Sequence, residues 1–227
     1  MPGIEKPEAV RVVCLDWGGV LLRICNGWEE ACVAAGLPLP EVPVSAEIRA
    51  RRRALAEAYQ LGNLSCEAYY PAVAELSPGY SALDIERLHD AWLLHEYDGA
   101  VALAEELAGH ARVTSALLSN TNVRHWTRRE QFTAAGMLEH QLASHEHRLA
   151  KPDTGFYRAL EAAVGATGEQ IVFFDDLETN VRAARSLGWQ AVRVDPASDT
   201  VAQVRGALGD VLKKYKKGTP RLRLGLG

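Results

Sequence analysis

The sequence predicts an α/β fold: a Rossmann-like, doubly wound parallel sheet with one all-helical insertion. Three observations carry this. Short, near-continuous apolar runs recur along the chain, the pattern of strands buried on both faces. Helical patterns that stop at glycines separate these runs. One long stretch, residues 26–96, holds helical patterns and no strand-like run. Strands alternating with helices imply a parallel sheet with crossover helices on its faces. The stretch without strands is then an insertion into that alternation.

The first strand is read at residues 10–15, where only Arg11 is polar. The insertion follows. Its helical patterns cover residues 28–35, 46–59, 66–75 and 83–95, with breaks at 36–43, 62–63 and 77–80. In the last of them, Ile85, Leu88 and Trp92 form an apolar stripe, expected to be the core of the insertion rather than a ligand contact. A helix at 100–108, rich in Ala, Leu and Glu, leads to a second strand at 113–118. A weaker strand is read at 140–144. A helix at 156–164 precedes a strand at 171–174, and a helix at 181–187 precedes the last strand at 191–194. Gly109, Gly136, Gly165 and Gly188 stand where helices should stop. The division expected is a core of residues 1–22 and 98–212, an insertion of 23–97, and a basic tail of 213–227.

A chain of 227 residues suits one core with a modest insertion. Its net charge of −4 argues against a nucleic-acid partner. Lys213, Lys214, Lys216, Lys217, Arg221 and Arg223 all follow Asp210, so the body is near −10 and the end reads as a solvated tail. Cys14, Cys25, Cys32 and Cys66 form no C-x-x-C pair, which argues against a zinc or dithiol site. Cys14, inside an apolar run, is expected to be a small core residue. No segment reads as a signal peptide, and no apolar run is long enough to span a membrane. The expected setting is the cytoplasm, without a membrane partner, as a monomer or homodimer.

In open parallel sheets, ligands bind beyond the carboxyl ends of the strands. Asp16 follows the first strand. Ser119 and Asn120 follow the second, Lys151 the third after a short loop, and Asp175 and Asp176 the fourth. Singly, each has an ordinary reading as a helix cap, a turn or a surface loop. Together they bring three carboxylates, an ammonium and a hydroxyl to one edge of the sheet. Charges beside buried strands are costly unless they face one another or an ion. Three converging carboxylates repel, so a bound cation is the natural compensation, and hard oxygen ligands suit Mg²⁺. His145-Glu146-His147 has the look of a metal pair but is read as a solvated loop. His125 lies close after the second strand end and is a candidate for the site. Arg23 and Trp28, where the insertion begins, are read as substrate contacts or as hinge and packing residues.

The ordered set Leu15-Asp16-Trp17-Gly18-Gly19-Val20-Leu21, Leu118-Ser119-Asn120-Thr121, Ala150-Lys151-Pro152-Asp153 and Phe174-Asp175-Asp176-Leu177-Glu178-Thr179-Asn180 resembles the haloacid dehalogenase superfamily. The likeness runs over residues 10–196, and the insertion looks like that family's C1-type cap. Ser119-Asn120-Thr121-Asn122 with His125, and the Asp-Asp pair, are most similar to bacterial glucose-1-phosphate phosphatases and to the phosphatase domain of soluble epoxide hydrolases. The resemblance implies that Asp16 attacks phosphorus and forms an aspartyl-phosphate. Asp16, the Gly18 carbonyl and Asp176 are the implied Mg²⁺ ligands, with Asp175 a further ligand or a partner behind them. Asn180, four residues after Asp176, favours Asp176 as the direct ligand. Ser119 and nearby amides are implied to hold the phosphoryl oxygens, and Lys151 to neutralise transition-state charge. Trp17, Gly18, Asn120 and His125 complete the implied binding site for a small phosphorylated substrate.

The sequence departs from the family pattern at Gly18. Most family phosphatases carry there a second aspartate, which protonates the leaving oxygen and then activates water. Three readings follow: a leaving group that is good already, such as an anomeric or acyl oxygen; a substitute acid, with His125 the first candidate; or a protein that binds phosphorylated ligands without turnover. The glucose-1-phosphatase type also carries glycine there. The favoured substrate is a sugar phosphate, in particular a sugar 1-phosphate. A haloacid dehalogenase would also use Asp16 as nucleophile, but needs no metal and lacks the aspartate pair. A phosphomutase would need the missing acid–base group even more.

Overall fold

The computed structural model describes residues 10–40 and 44–213. Of the basic tail expected at 213–227, all but Lys213 lies outside the described residues. Along the chain, β1 (Val12–Leu15) and β2 (Leu22–Ile24) precede four helices: α1 (Trp28–Ala35), α2 (Ala46–Gln60), α3 (Cys66–Glu75) and α4 (Ala82–Asp90). Then come β3 (Leu93–Glu96), α5 (Ala100–Ala108), β4 (Thr114–Ser119), α6 (Val123–Thr127), α7 (Thr133–Gly136), β5 (His140–Ala143) and α8 (Ser144–His147). The chain continues with α9 (Thr154–Val164), β6 (Ile171–Asp175), α10 (Glu178–Ser186), β7 (Gln190–Arg193) and α11 (Thr200–Lys213).

Five strands form one parallel sheet in the order β5-β4-β1-β6-β7. The central strands β1 and β6 are apolar on both faces because both faces are covered, while the edge strands β5 and β7 carry His140, Gln141, Gln190 and Arg193. Val13, Leu15, Leu117, Val172 and Phe174 point to one side, against Leu103 and Leu107 of α5 and Val204 and Leu208 of α11. Val12, Cys14, Ala116, Leu118 and Phe173 point to the other, against Phe156 and Leu160 of α9 and Val181 of α10. Cys14 is the small core residue its context predicts, and all four cysteines carry free thiols. Helix α11 packs Val201, Val204, Ala207 and Leu208 on one face, although the sequence pattern after residue 194 gave it no clear signal. Among the described residues, no helix is long and apolar enough to cross a membrane.

Helices α1–α4 bury a cluster of their own, including Cys32, Tyr59, Tyr69, Tyr70, Val73, Ile85 and Leu88. They are strung between β2 and β3, which pair antiparallel through Leu22 with Glu96 and Arg23 with His95. Strand β3 stands where the helical pattern was read through residues 83–95. The helix ends at Asp90, and the chain turns into the strand. The reason is non-local: Leu93 and Leu94 fit either periodicity, and pairing with β2, some seventy residues earlier, decides between them.

Candidate active site

Parallel register sets the strand ends level. Leu15 is paired with Leu117 on one side and Phe174 on the other, so the residues that follow, Asp16, Ser119 and Asp175, emerge at one edge. After Asp16 the chain folds into a tight loop: Leu21 and Leu22 both donate backbone N–H groups to the Trp17 carbonyl, at 3.0 and 2.8 Å. Gly19 takes a φ of +77°, and a Cβ there would lie 2.7 Å from the Asp176 carboxylate. Glycine is therefore required twice over, for the turn and for the approach of Asp176. The sequence reading passed over Gly19, because a glycine after a strand is an ordinary turn signal.

The structure brings four predicted groups together. Lys151 Nζ lies 2.8 Å from Asp16 Oδ1 and 2.7 Å from Asp175 Oδ2, with its side chain fully buried. Asp16, Asp175 and Asp176 each offer an oxygen within 4.8 Å of the others. Asn120 clamps the Lys151 backbone, its amide donating to the Lys151 carbonyl and accepting from the Lys151 N–H, both at 2.8 Å. The Trp17 N–H donates to Asp16 Oδ1 at 2.7 Å, while its indole packs edge-on against Trp126 and Phe132. Asn180 donates to both oxygens of Asp175, at 2.9 and 3.0 Å, and the Leu177 N–H adds a third bond at 2.8 Å. Asn180 thus holds Asp175 and leaves Asp176 free of it. Asp175 is buried and saturated, and the half-buried Asp176 is the freer carboxylate.

The electrostatics follow from this crowding. Burial pushes the Asp16 carboxyl well up; Lys151 opposes the shift, and Asp175 and Asp176 reinforce it. Burial and Asp175 raise Asp176 as well. Burial pulls the Lys151 ammonium down, but Asp16 and Asp175 outweigh it and hold the proton on. Three carboxylates against one ammonium leave an excess of negative charge in a dry place. The oxygen donors, their spacing and that excess fit a hard divalent cation. Among the described residues, this is the group of acidic and metal-ligating side chains close enough to share an ion.

Beside the cluster lies a cleft of about 210 Å³ between the sheet edge and α2–α4. Gly18, Ser119, Asn120 and His125 line it from the core, as do Trp17, Thr121 and Asn122. Ile24, Tyr59, Gln60, Tyr69, His89 and Trp92 close it from the ribbon and the inserted helices. The sequence pattern could not single out this second set, because positions on a helical insertion acquire a pocket only through tertiary placement. Trp92 packs against the insertion's core, as its stripe predicts, and also lines the cleft, while Ile85 and Leu88 from the same stripe are buried in that core. Arg23 and Trp28 pack rather than reach the cleft. Arg23 pairs with Glu30 at 2.7 Å, and Trp28 sits under the Arg52 guanidinium. His145-Glu146-His147 forms most of the short helix α8, where Glu146 accepts from the Trp126 indole.

The fold agrees with comparisons to known proteins. A sequence profile of haloacid dehalogenase-like hydrolases matches residues 10–188. No curated protein matches the chain. Among solved structures, a haloacid dehalogenase family enzyme from Bacteroides thetaiotaomicron superposes with a TM-score of 0.73 at 19% identity, over 86% of this chain and 98% of that one. The same enzyme in complex with magnesium and inorganic phosphate gives 0.65 at 19% identity, over 84% and 96%. The L-2-haloacid dehalogenase of Xanthobacter autotrophicus gives 0.58 at 18% identity, over 82% and 77%. At such identities the likeness establishes the fold, while the profile match over most of the chain establishes the family. With Asp16 at a strand end and the buried lysine and paired aspartates beside it, this chain belongs to the haloacid dehalogenase-like hydrolases.

Proposed function

We propose that the protein is a Mg²⁺-dependent phosphatase that hydrolyses a small phosphorylated metabolite through an aspartyl-phosphate on Asp16. The observation that carries this is the acidic cluster: Asp16, Asp175 and Asp176 converge on one another with Lys151 as the single buried cation. A dehalogenase reaction on a neutral carbon has no use for that excess of negative charge. Asp16, Asp176 and the Gly18 carbonyl would hold the metal, with Asp175 orienting Lys151 behind them. The bound cation supplies positive charge that lets an anionic phosphoryl group approach an anionic carboxylate. Asp16 is held for attack by the Trp17 N–H and Lys151. Lys151 carries fixed positive charge to the phosphoryl oxygens as they develop charge, and Ser119 offers its hydroxyl to one of them. Helices α1–α4 act as a cap over the strand ends, and their closure keeps water from the phosphoryl group.

The favoured substrate is a sugar 1-phosphate, because its anomeric oxygen carries negative charge better than an ordinary hydroxyl oxygen. The cleft supports a compact substrate: the aromatic side chains of Tyr59, Tyr69 and Trp92 share its lining with the polar side chains of Gln60, Asn120 and Asn122. The test is phosphate release across a panel of phosphorylated metabolites, with Mg²⁺ and after chelation. Release that requires Mg²⁺ and is lost in Asp16→Asn is expected. Halide release from 2-haloacids in chelated protein, without phosphate release, would replace this reading with the dehalogenase one.

A further inference from the structure

Among the described residues, no carboxyl group lines the cleft beside Asp16, and neither imidazole that lines it is free to protonate a leaving oxygen. Gly18 offers no side chain, and its place is filled: a Cβ there would meet Ile24 Cδ1 at 3.1 Å. Ile24 is fixed in turn by the pairing of β2 with Leu93. The two imidazoles in the cleft are committed elsewhere. His125 Nε2 lies 2.8 Å from the His89 carbonyl, which can only accept, so Nε2 carries the proton. The Asn122 Nδ2 amide, which can only donate, lies 3.4 Å from His125 Nδ1 and 3.3 Å from His89 Nε2, making both acceptors. The His89 proton is then on Nδ1, toward the Tyr70 hydroxyl at 3.4 Å. The rings stack at 3.9 Å, each neutral and each with both nitrogens used. Burial pulls both imidazoles down, His125 to about 4. It also raises the Tyr59 and Tyr69 phenols, Tyr69 to about 12, so they hold their protons more tightly than free phenol.

We propose that the site takes substrates whose leaving oxygen departs as a stabilised anion (anomeric, aryl or acyl), and that phosphate is released slowly from phosphorylated Asp16. This rests on the phosphatase reading above and deepens it. In the first step the bond from Asp16 to phosphorus forms as the bond to the leaving oxygen breaks. That oxygen keeps the electron pair and takes its proton from solvent. In the second step a water oxygen bonds to phosphorus, the bond to Asp16 breaks, and the water proton passes to solvent. No side chain assists either proton transfer. The first step therefore selects for weakly basic leaving oxygens, and the second becomes the slow one.

The experiment uses the full chain with Mg²⁺ and a series of 4-nitrophenyl, phenyl and benzyl phosphates, alongside glucose 1-phosphate and glucose 6-phosphate. kcat/KM is expected to fall by about 10²–10⁴-fold from 4-nitrophenyl to benzyl phosphate, the range general acid catalysis would otherwise cover. Good substrates should share one kcat, and 4-nitrophenyl phosphate should give a burst of nitrophenolate matching the enzyme concentration. Glucose 1-phosphate should outpace the 6-phosphate in kcat/KM. The double variant Gly18→Asp with Ile24→Ala, which adds a carboxyl and clears its place, should flatten the series and shrink the burst. A flat series in the wild type, or no burst with kcat following the leaving group, overturns the proposal and leaves the phosphatase reading standing. Phosphate release from no compound overturns both. The wild-type series decides the matter even where the double variant does not fold.

Discussion

Burial sets the charge state of His125, and that has a consequence for stability. The ring is neutral in the folded chain, with its affinity for protons depressed to about 4 by loss of water, while Arg124 and Arg128 oppose a charge there and Asp90 favours one. The unfolded chain binds that proton near pH 6.5, so stability is complete above that value and drains away as pH falls toward 4. The loss should reach roughly 2–3 kcal/mol at pH 4. Urea titrations of the wild type and His125→Gln between pH 7 and 4 measure it: the wild type should lose more than the variant, and parallel curves would contradict the account. Asp16, Lys151, Ser119 and the aspartate pair were legible because each follows an apolar run whose end is visible in the sequence. Gly19, Ile24 and His89 were not, since their roles come from what packs against them: Asp176, the missing side chain of Gly18, and His125.

Between elements, the inserted helices are tied to the core by polar contacts at the ends of α4 and α2. Arg124 of α6 grips Asp90 with Nε at 2.8 Å and a terminal nitrogen at 2.7 Å, and also reaches Glu86 at 3.0 Å. Arg128 adds a contact to Asp90 at 2.7 Å. From the end of α2, the Gln60 carbonyl accepts from the buried Ser144 hydroxyl at 2.7 Å. The arginine cluster is about one-third exposed, so its share of closure is about 1 kcal/mol, a roughly fivefold effect. Asp90→Asn should therefore raise KM by about that factor, with a smaller effect on kcat, and high salt should do the same to the wild type. Equal KM for both proteins at low salt would show that this cluster does not hold the helices closed. The sequence marked α1, α3 and α5 to the residue, because each is bounded by breaks and fills one stripe. It missed β3 and α6: a four-residue strand and a five-residue helix are too short to show a period, and long-range pairing decides them.

At the scale of the molecule, one parallel sheet both builds the core and sets its acidic residues level at one edge, beneath helices that carry most of the cleft's far wall. The fold was legible in the sequence because alternating apolar runs leave few topologies open. The pocket was not, because it lies between two packed units and belongs to neither pattern. The central claim is that Asp16 takes the phosphoryl group. It is tested most directly by mixing the full chain with Mg²⁺ and 4-nitrophenyl phosphate, quenching in acid within the burst, and mapping the peptides by mass spectrometry. The account predicts a phosphoryl adduct on the peptide carrying Asp16, absent from Asp16→Asn. Phosphate release at the wild-type rate by Asp16→Asn, or an adduct on a different residue, would contradict it.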